Sequence, residues 1–237
     1  MTGDVVAVVP IRGLQSGKTR LAGELPPEAR EALTRRMLKG VVLAARDSGV
    51  VDTIVVVSPD AAALALAREI DDGVVALAQE PAAPGLNAAI GAGRDWALAR
   101  GAAALVVLFG DLPLLTGNDV RQLVRHGDPV VLAPDRHGMG TNALVLRFDG
   151  AAVEFRFQFG AGSYGRHREE AERLDVAMAT SVTPGTAFDL DTPEDLRTLL
   201  DAESWGLEVE DEVEEEMVLQ PAPGGCDRPI VVDGDGA

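Results

Sequence analysis

The stretch Val5-Val6-Ala7-Val8-Val9-Pro10-Ile11-Arg12-Gly13-Leu14-Gln15-Ser16-Gly17-Lys18-Thr19-Arg20 decides the fold. An apolar run ends at a proline and opens into a loop carrying two glycines and three cations. β-Branched residues with no polar alternation mark a strand buried on both faces, as in parallel sheets covered by helices. The same unit repeats outward from it. Helical spacing over 27–48 places Leu33, Met37, Val41, Ala44 and Ala45 on one face. Apolar runs at 54–57, 74–78, 104–109 and 130–134 read as strands, and 61–70, 86–100 and 116–125 as the helices between them. This βα rhythm predicts an α/β protein with a mainly parallel sheet.

The rhythm breaks after Pro134. A turn-rich loop at 138–141 precedes a strand at 143–147, and Phe155, Phe157 and Phe159 alternate before Gly160-Ala161-Gly162-Ser163 interrupts them. Ser163 is placed to cap a helix running to about Leu174. One or two strands are expected within 176–191, then a helix opened by Thr192-Pro193-Glu194-Asp195 and ending near Gly206. Two parts follow: a folded domain over 1–206 and a tail over 207–237 rich in acid, Pro and Gly, expected to be disordered.

Composition narrows the function. The net charge is −17, and from Asp201 onward there are 12 acidic residues against the single Arg228. The preceding 200 residues hold 26 acidic and 20 basic residues, a net of −6. So acidic a chain lacks the basic footprint of nucleic-acid binding. No apolar run reaches the roughly 18 residues of a membrane span, and the start lacks a signal-peptide pattern, so a cytoplasmic protein with neither a nucleic-acid nor a membrane partner is expected. One cysteine, Cys226, and three histidines (His126, His137, His167) exclude a disulfide or cysteine zinc cluster and leave little for a histidine metal site. The histidines read as surface or capping residues. No Ser/His/Asp arrangement indicates covalent catalysis.

Five segments could carry chemistry, and a sixth, Gly85-Leu86-Asn87, is a minor addition. In the first loop, Arg12, Lys18 and Arg20 surround Gly13 and Gly17, which suits a nucleoside triphosphate. The alternative is a solvated basic loop. A Walker A reading fails, since Gly13 and Gly17 enclose three residues instead of four. Asp111, in Phe109-Gly110-Asp111-Leu112-Pro113, sits at the carboxyl end of a central strand, where open α/β sheets hold ligands; it could bind Mg²⁺ or cap the turn. Asp189 and Asp191 would share one side of a strand end, and two such carboxylates repel unless a cation joins them; the alternative makes Asp191 a helix cap. Gly138-Met139-Gly140-Thr141-Asn142 and Gly160-Ala161-Gly162-Ser163 offer hydroxyls and backbone donors for an anion, or are plain turns. Gly85-Leu86-Asn87 opens a helix and could reach a base or ribose, or simply cap it.

Taken in order, these segments resemble the guanylyltransferases of coenzyme F-420 biosynthesis, which activate phosphoenolpyruvate or 2-phospho-L-lactate with GTP. The resemblance rests on Arg12 with Gly17-Lys18-Thr19-Arg20-Leu21, Gly85-Leu86-Asn87, Gly110-Asp111-Leu112-Pro113, Asp135 to Leu144, Phe157-Gln158-Phe159-Gly160 with Ser163, and Asp189-Leu190-Asp191-Thr192-Pro193. It spans residues 9 to about 200 and leaves the acidic tail without a counterpart. It implies a three-layer nucleotidyltransferase (nucleotide-diphospho-sugar transferase-like) fold with a mixed sheet. It also implies Mg²⁺ on Asp111, Asp189 and Asp191, and acid-substrate contacts at Thr141, Gly160 and Ser163. Arg12, Gly17, Lys18, Arg20, Gly85 and Asn87 are then expected at the nucleotide, with Lys18, Arg12 and Asp111 carrying the chemistry.

The partners implied are GTP and a small phosphorylated three-carbon acid, with the product passed to the next transferase of the pathway; a homodimer stays open. Nineteen arginines against two lysines fit a GC-rich bacterial genome, and bacterial members of the family resemble the phosphoenolpyruvate branch. The 2-phospho-L-lactate branch, a molybdopterin-type guanylyl or cytidylyl transferase, a P-loop NTPase and a non-enzymatic adaptor acting through its tail remain as alternatives.

Overall fold

The structure is a computed structural model that describes residues 3–201. The chain divides into two units, Met1–Pro193 and Glu194–Ala237. In the first unit, strands β1 (Val5–Pro10), β2 (Thr53–Ser58), β3 (Val75–Ala78) and β4 (Ala104–Leu108) alternate with helices α1 (Pro27–Asp47), α2 (Ala61–Ile70) and α3 (Leu86–Leu98). Helix α4 (Gly117–Arg125), β5 (Val130–Pro134), β6 (Thr141–Arg147), α5 (Ser163–Leu174), β7 (Met178–Thr180) and the short α6 (Pro184–Ala187) complete it.

The seven strands form one sheet in the order β3-β2-β1-β4-β6-β5-β7. Every neighbouring pair is parallel except those of β6, which runs antiparallel between β4 and β5. The strand that follows the break in rhythm is thus the one that makes the sheet mixed. This is the expected fold class, an α/β protein with a mainly parallel mixed sheet.

Successive strand residues point to opposite faces, and here both faces are dry. Val5, Ala7, Val9, Val56 and Val106 pack with Leu38, Val41, Leu64 and Leu123 of α1, α2 and α4. Val6, Val8, Val55, Val107 and Leu144 pack with Ile90 and Ala97 of α3 and with Phe155, Phe159 and Ala171. Gly93 of α3 lies so close to β1 that a Cβ there would stand 2.6 Å from Val8 Cγ1, so only glycine allows this approach.

The alternating Phe155, Phe157 and Phe159 lie in irregular chain that follows a 3₁₀ turn over Gly150–Glu154. Two expectations need correction. Ser163 is the first residue of α5, and its cap is Gly162, left-handed at φ 68. Residues 176–191 hold one strand and a short helix, so Asp189 and Asp191 lie in irregular chain and owe nothing to strand alternation.

Helix α7 (Pro193–Asp201), whose residues from Glu194 on belong to the second unit, begins where its proline and acidic first turn predict. Its expected end near Gly206, the domain boundary there, Cys226 and the acidic tail all lie outside the described residues.

Candidate active site

The carboxyl ends of β1 and β4, neighbours in the sheet, gather the charged residues. The loop after β1 is held from below: the Leu14 backbone N–H donates to Asp60 Oδ2 at 2.9 Å. No α-helix follows until Pro27; a 3₁₀ turn, Thr19–Leu21, comes first, unlike a P-loop. Lys18 adopts the left-handed conformation, φ 54 and ψ 36, which costs a non-glycine residue about 1–2 kcal/mol. That backbone turn directs its ammonium inward. Nζ donates to Asp111 Oδ2 at 2.8 Å and to Asp191 Oδ1 at 3.4 Å, with the side chain only 6% exposed. The loop is therefore not a solvated basic surface at Lys18. Arg20 is more open and reaches Asp191 Oδ2 at 2.8 Å. Arg12 is exposed beside a groove of about 640 Å³, lined also by Pro10, Pro59, Glu80, Gly85 and Leu86.

Asp111 lies three residues past the end of β4. Its carbonyl accepts from the Leu190 N–H at 3.1 Å, and this backbone bond brings the segment carrying Asp189 and Asp191 to it. Asn142, the second residue of β6, reaches the same segment: Nδ2 donates to the carbonyls of Thr186 (3.0 Å) and Ala187 (3.3 Å) and to Asp189 Oδ1 (3.4 Å). Burial raises the Asp189 pKa above the usual carboxylate range; the negative charges of Asp111 and, less, Asp191 add to it, against hydrogen bonds from its own backbone and from Asn142. Asp111 Oδ1 is buried and, among the described residues, has no hydrogen-bond partner.

Those two facts fit a cation: a crowded carboxylate set with one orphaned acceptor is short of positive charge. Lys18 supplies one charge. Among the described residues, no three His, Cys, Asp or Glu side chains converge closely enough to enclose a metal ion. Asp111 and Asp189 are the pair whose electrostatics call for one, whereas Asp191 is engaged by Lys18 and Arg20.

A second cluster lies alongside. The Asp135 carboxylate accepts from the N–H groups of His137 (3.1 Å), Met139 (2.9 Å) and Gly140 (2.8 Å), shaping the loop that leads to Thr141. The Met139 carbonyl accepts from Tyr164 N at 3.1 Å, and the Gly160 carbonyl from Ser163 N at 3.0 Å. The two glycine segments are thereby joined, with Thr141 and Ser163 both buried. Gly160 at φ 122 and Gly162 at φ 68 take conformations that side chains resist.

Asn87 joins this cluster too. Its amide donates to the Phe159 carbonyl at 3.1 Å and accepts from the Phe159 N–H at 2.8 Å, so its side chain ties α3 to the phenylalanine segment. Gly85, at a positive φ of 99, caps the same helix beside the groove.

His167 corrects the reading of the histidines as surface or capping groups. It is wholly buried, with Nδ1 3.0 Å from Thr141 Oγ1 and Nε2 accepting from the Gln158 N–H at 2.9 Å. Burial, aided by the nearby charge of Arg166 and opposed by Glu170, pushes its pKa down to about 4. The other two histidines fit the expectation better: His126 pairs with Asp128 at the surface, and His137 is exposed.

The cations and carboxylates collect at the carboxyl ends of the central strands, where open α/β sheets bind their ligands. Solved structures agree on the fold. A putative nucleotide-diphospho-sugar transferase from Desulfovibrio desulfuricans superposes with a TM-score of 0.66 at 16% identity, over 84% of this chain and 87% of that one. Glucosyl-3-phosphoglycerate synthase from Mycobacterium tuberculosis, solved with Mn²⁺, uridine diphosphate and phosphoglyceric acid, gives 0.57 at 15% identity, over 84% and 75%.

The chain belongs to the CofC-like guanylyl transferase family, which matches residues 5–203. It is 45% identical over 198 residues to the phosphoenolpyruvate guanylyltransferase of Rubrobacter xylanophilus, covering 82% of this chain and 93% of that protein. Identity to the phosphoenolpyruvate guanylyltransferase of Sphaerobacter thermophilus is 39%, over 82% and 91%.

Proposed function

We propose that this guanylyltransferase moves GMP from GTP to phosphoenolpyruvate, giving enolpyruvoyl-2-diphospho-5'-guanosine and diphosphate, as a cytoplasmic step in the biosynthesis of coenzyme F-420. The next transferase of that pathway takes up the product. The observation that carries this reading is the meeting of Lys18, Asp111 and Asp191 at the ends of the central strands, beside a second cluster built around Thr141 and Ser163. One centre suits a triphosphate and the other a small anionic acid. The family to which the chain belongs supports guanylyl transfer to phosphoenolpyruvate.

The phosphate of the acid attacks the α-phosphorus of GTP, a P–O bond forms, and diphosphate leaves with the bonding electrons. A phosphomonoester is mostly dianionic at pH 7, with a second pKa of about 6, so no general base is needed. The obstacle is the approach of two anions. Lys18, Arg12 and Arg20 offset that repulsion and hold the reacting groups in line. Gly17 lets the loop backbone approach the phosphates, and Gly85 with Arg12 borders the groove assigned to the nucleoside. Asn87, near Gly85 at the start of α3, belongs with the nucleotide, and its amide also holds Phe159 in place. Thr141, Gly160 and Ser163 grip the carboxylate and phosphate of the acid.

Asp111 and Asp189 would hold a divalent cation, taken as Mg²⁺, with Asp191, engaged by Lys18 and Arg20, as a flanking carboxylate. When bound it supplies Lewis-acid stabilisation of phosphoryl charge.

The test is diphosphate release measured with GTP, Mg²⁺ and one acid at a time. Release that requires both GTP and phosphoenolpyruvate is expected. Equal or greater release with 2-phospho-L-lactate would move the acceptor to that acid, and release with CTP in place of GTP would move the nucleotide.

A further inference from the structure

His167 is absent from every role assigned above, yet its surroundings fix the position of a proton. The backbone N–H of Gln158 can only donate, and it points at Nε2 from 2.9 Å. Nε2 must therefore carry a lone pair, which puts the imidazole proton on Nδ1 in the neutral ring. Nδ1 lies 3.0 Å from Thr141 Oγ1, so Nδ1–H donates and the hydroxyl oxygen accepts. The hydroxyl hydrogen of Thr141 is then turned away from His167, and among the described residues that oxygen has no other partner. Ring packing holds the imidazole still: Phe159 stands edge-on at 4.6 Å between centroids and Phe155 lies at 5.7 Å.

We infer that His167 is a positioning residue that aims the Thr141 hydroxyl hydrogen at the acid substrate, because Nδ1–H donates to that oxygen and the hydrogen cannot turn toward the ring. A free hydroxyl rotor can spend its hydrogen on any neighbour; this one keeps one lone pair and has its hydrogen directed away from the imidazole. It is then set to donate to an anionic oxygen. The same ring, through Nε2, holds Gln158 and hence the Phe157-Gln158-Phe159-Gly160 segment that leads to the second glycine of the cradle. One buried side chain thus sets both walls of the acid site. The inference rests on the proposed role of Thr141 in binding phosphoenolpyruvate.

Two substitutions separate the two nitrogens. In His167→Asn the amide nitrogen can replace Nδ1–H, and the Nε2 acceptor is lost. In His167→Gln the amide oxygen can replace Nε2, and the Nδ1 donor is lost. With the full chain, His167→Gln is expected to raise KM for phosphoenolpyruvate about 10-fold or more while KM for GTP stays within about twofold, and His167→Asn to recover most of that loss. Thr141→Val should raise the same KM at least as much. If Thr141→Val leaves KM for phosphoenolpyruvate unchanged, the acid-site reading of Thr141 fails and the inference fails with it. If Thr141→Val acts but His167→Gln does not, or Asn and Gln are equally impaired, the inference alone is overturned. The wild-type protein gives a check independent of activity and of mutant folding. In ¹⁵N-histidine-labelled protein at neutral pH, His167 should show a protonated Nδ1 and an unprotonated Nε2; the opposite tautomer would overturn the assignment.

Discussion

Lys18 Nζ stands 2.8 Å from Asp111 Oδ2, joining residues 93 positions apart across the ends of two adjacent parallel strands. The pair links the loop assigned to the triphosphate with the carboxylate assigned to the cation. Removing the ammonium leaves Asp111 and Asp191 facing each other with less positive charge. Lys18→Ala should lower turnover by about two powers of ten, roughly 2.7 kcal/mol of transition-state stabilisation, and raise KM for GTP. Because the lysine backbone is left-handed at φ 54, Lys18→Gly should be as inactive but more stable than Lys18→Ala by about 1 kcal/mol. Steady-state kinetics with thermal melts of both variants check this. Unchanged GTP kinetics in Lys18→Ala would remove the lysine from the nucleotide site.

Asp189 predicts an exchange of activity against stability. Its carboxylate is buried beside Asp111 and Asp191, and both effects favour the protonated form. Asp189→Asn keeps an oxygen for Asn142 and removes the crowded charge. Without divalent cation at pH 7, the variant should melt a few degrees higher than the wild type and be nearly inactive. Mg²⁺ should then raise the wild-type melting temperature more than that of the variant. A variant that melts lower and responds to Mg²⁺ like the wild type would contradict the role given to this carboxylate.

His167 predicts how stability depends on pH. Its folded pKa, about 4, lies below the ordinary histidine value of 6.5. Between these two values the unfolded chain binds a proton that the folded chain refuses, so stability rises with pH across the window and falls as pH drops from about 6.5 toward 4. The slope from this group is at most ~1.4 kcal/mol per pH unit. Above pH 6.5 both states are neutral and the contribution is flat. Denaturant midpoints measured from pH 4 to 8 should show this slope in the wild type and lose it in His167→Gln.

Ser163→Ala tests the acid cradle from its other wall. A hydrogen bond to a charged group contributes roughly 1.5–3 kcal/mol. The substitution should therefore weaken phosphoenolpyruvate by about one to two powers of ten and leave GTP affinity nearly unchanged. Calorimetric titration of each ligand distinguishes this from a loss confined to GTP, which would place Ser163 at the nucleotide.

The sequence exposes those parts of the fold that obey a simple period. From β1 to β5 each strand is built on an apolar run, and Asp60 and Thr116 cap α2 and α4 where the pattern starts helices. The period misleads where side chains replace sheet partners. Phe155, Phe157 and Phe159 alternate as a strand would, but the N–H groups of Arg156, Gln158 and Phe159 are taken by Glu170, His167 and Asn87. Asp189 and Asp191 converge on Asp111 through the Leu190 backbone bond, a long-range contact that no local spacing announces.

Lys18 is legible in the sequence as a loop cation, and Asp111 and Asp191 as carboxylates at strand ends. Their pairing is not, since it depends on strands 1 and 4 lying side by side. His167 sits three residues before Glu170 on one face of α5, and each side chain receives one of the N–H groups of alternate residues 156 and 158. That matched spacing was the one signal in the sequence that could have singled out the histidine.

The central claim is guanylyl transfer to phosphoenolpyruvate at the Lys18–Asp111 site. Mass spectrometry of the product, run beside a diphosphate assay, tests it most directly. With GTP, phosphoenolpyruvate and Mg²⁺, the full chain should form enolpyruvoyl-2-diphospho-5'-guanosine in a one-to-one ratio with diphosphate, and Asp111→Asn, melting within a few degrees of the wild type, should form almost none. Diphosphate without that product, or wild-type product formation by Asp111→Asn, would contradict it.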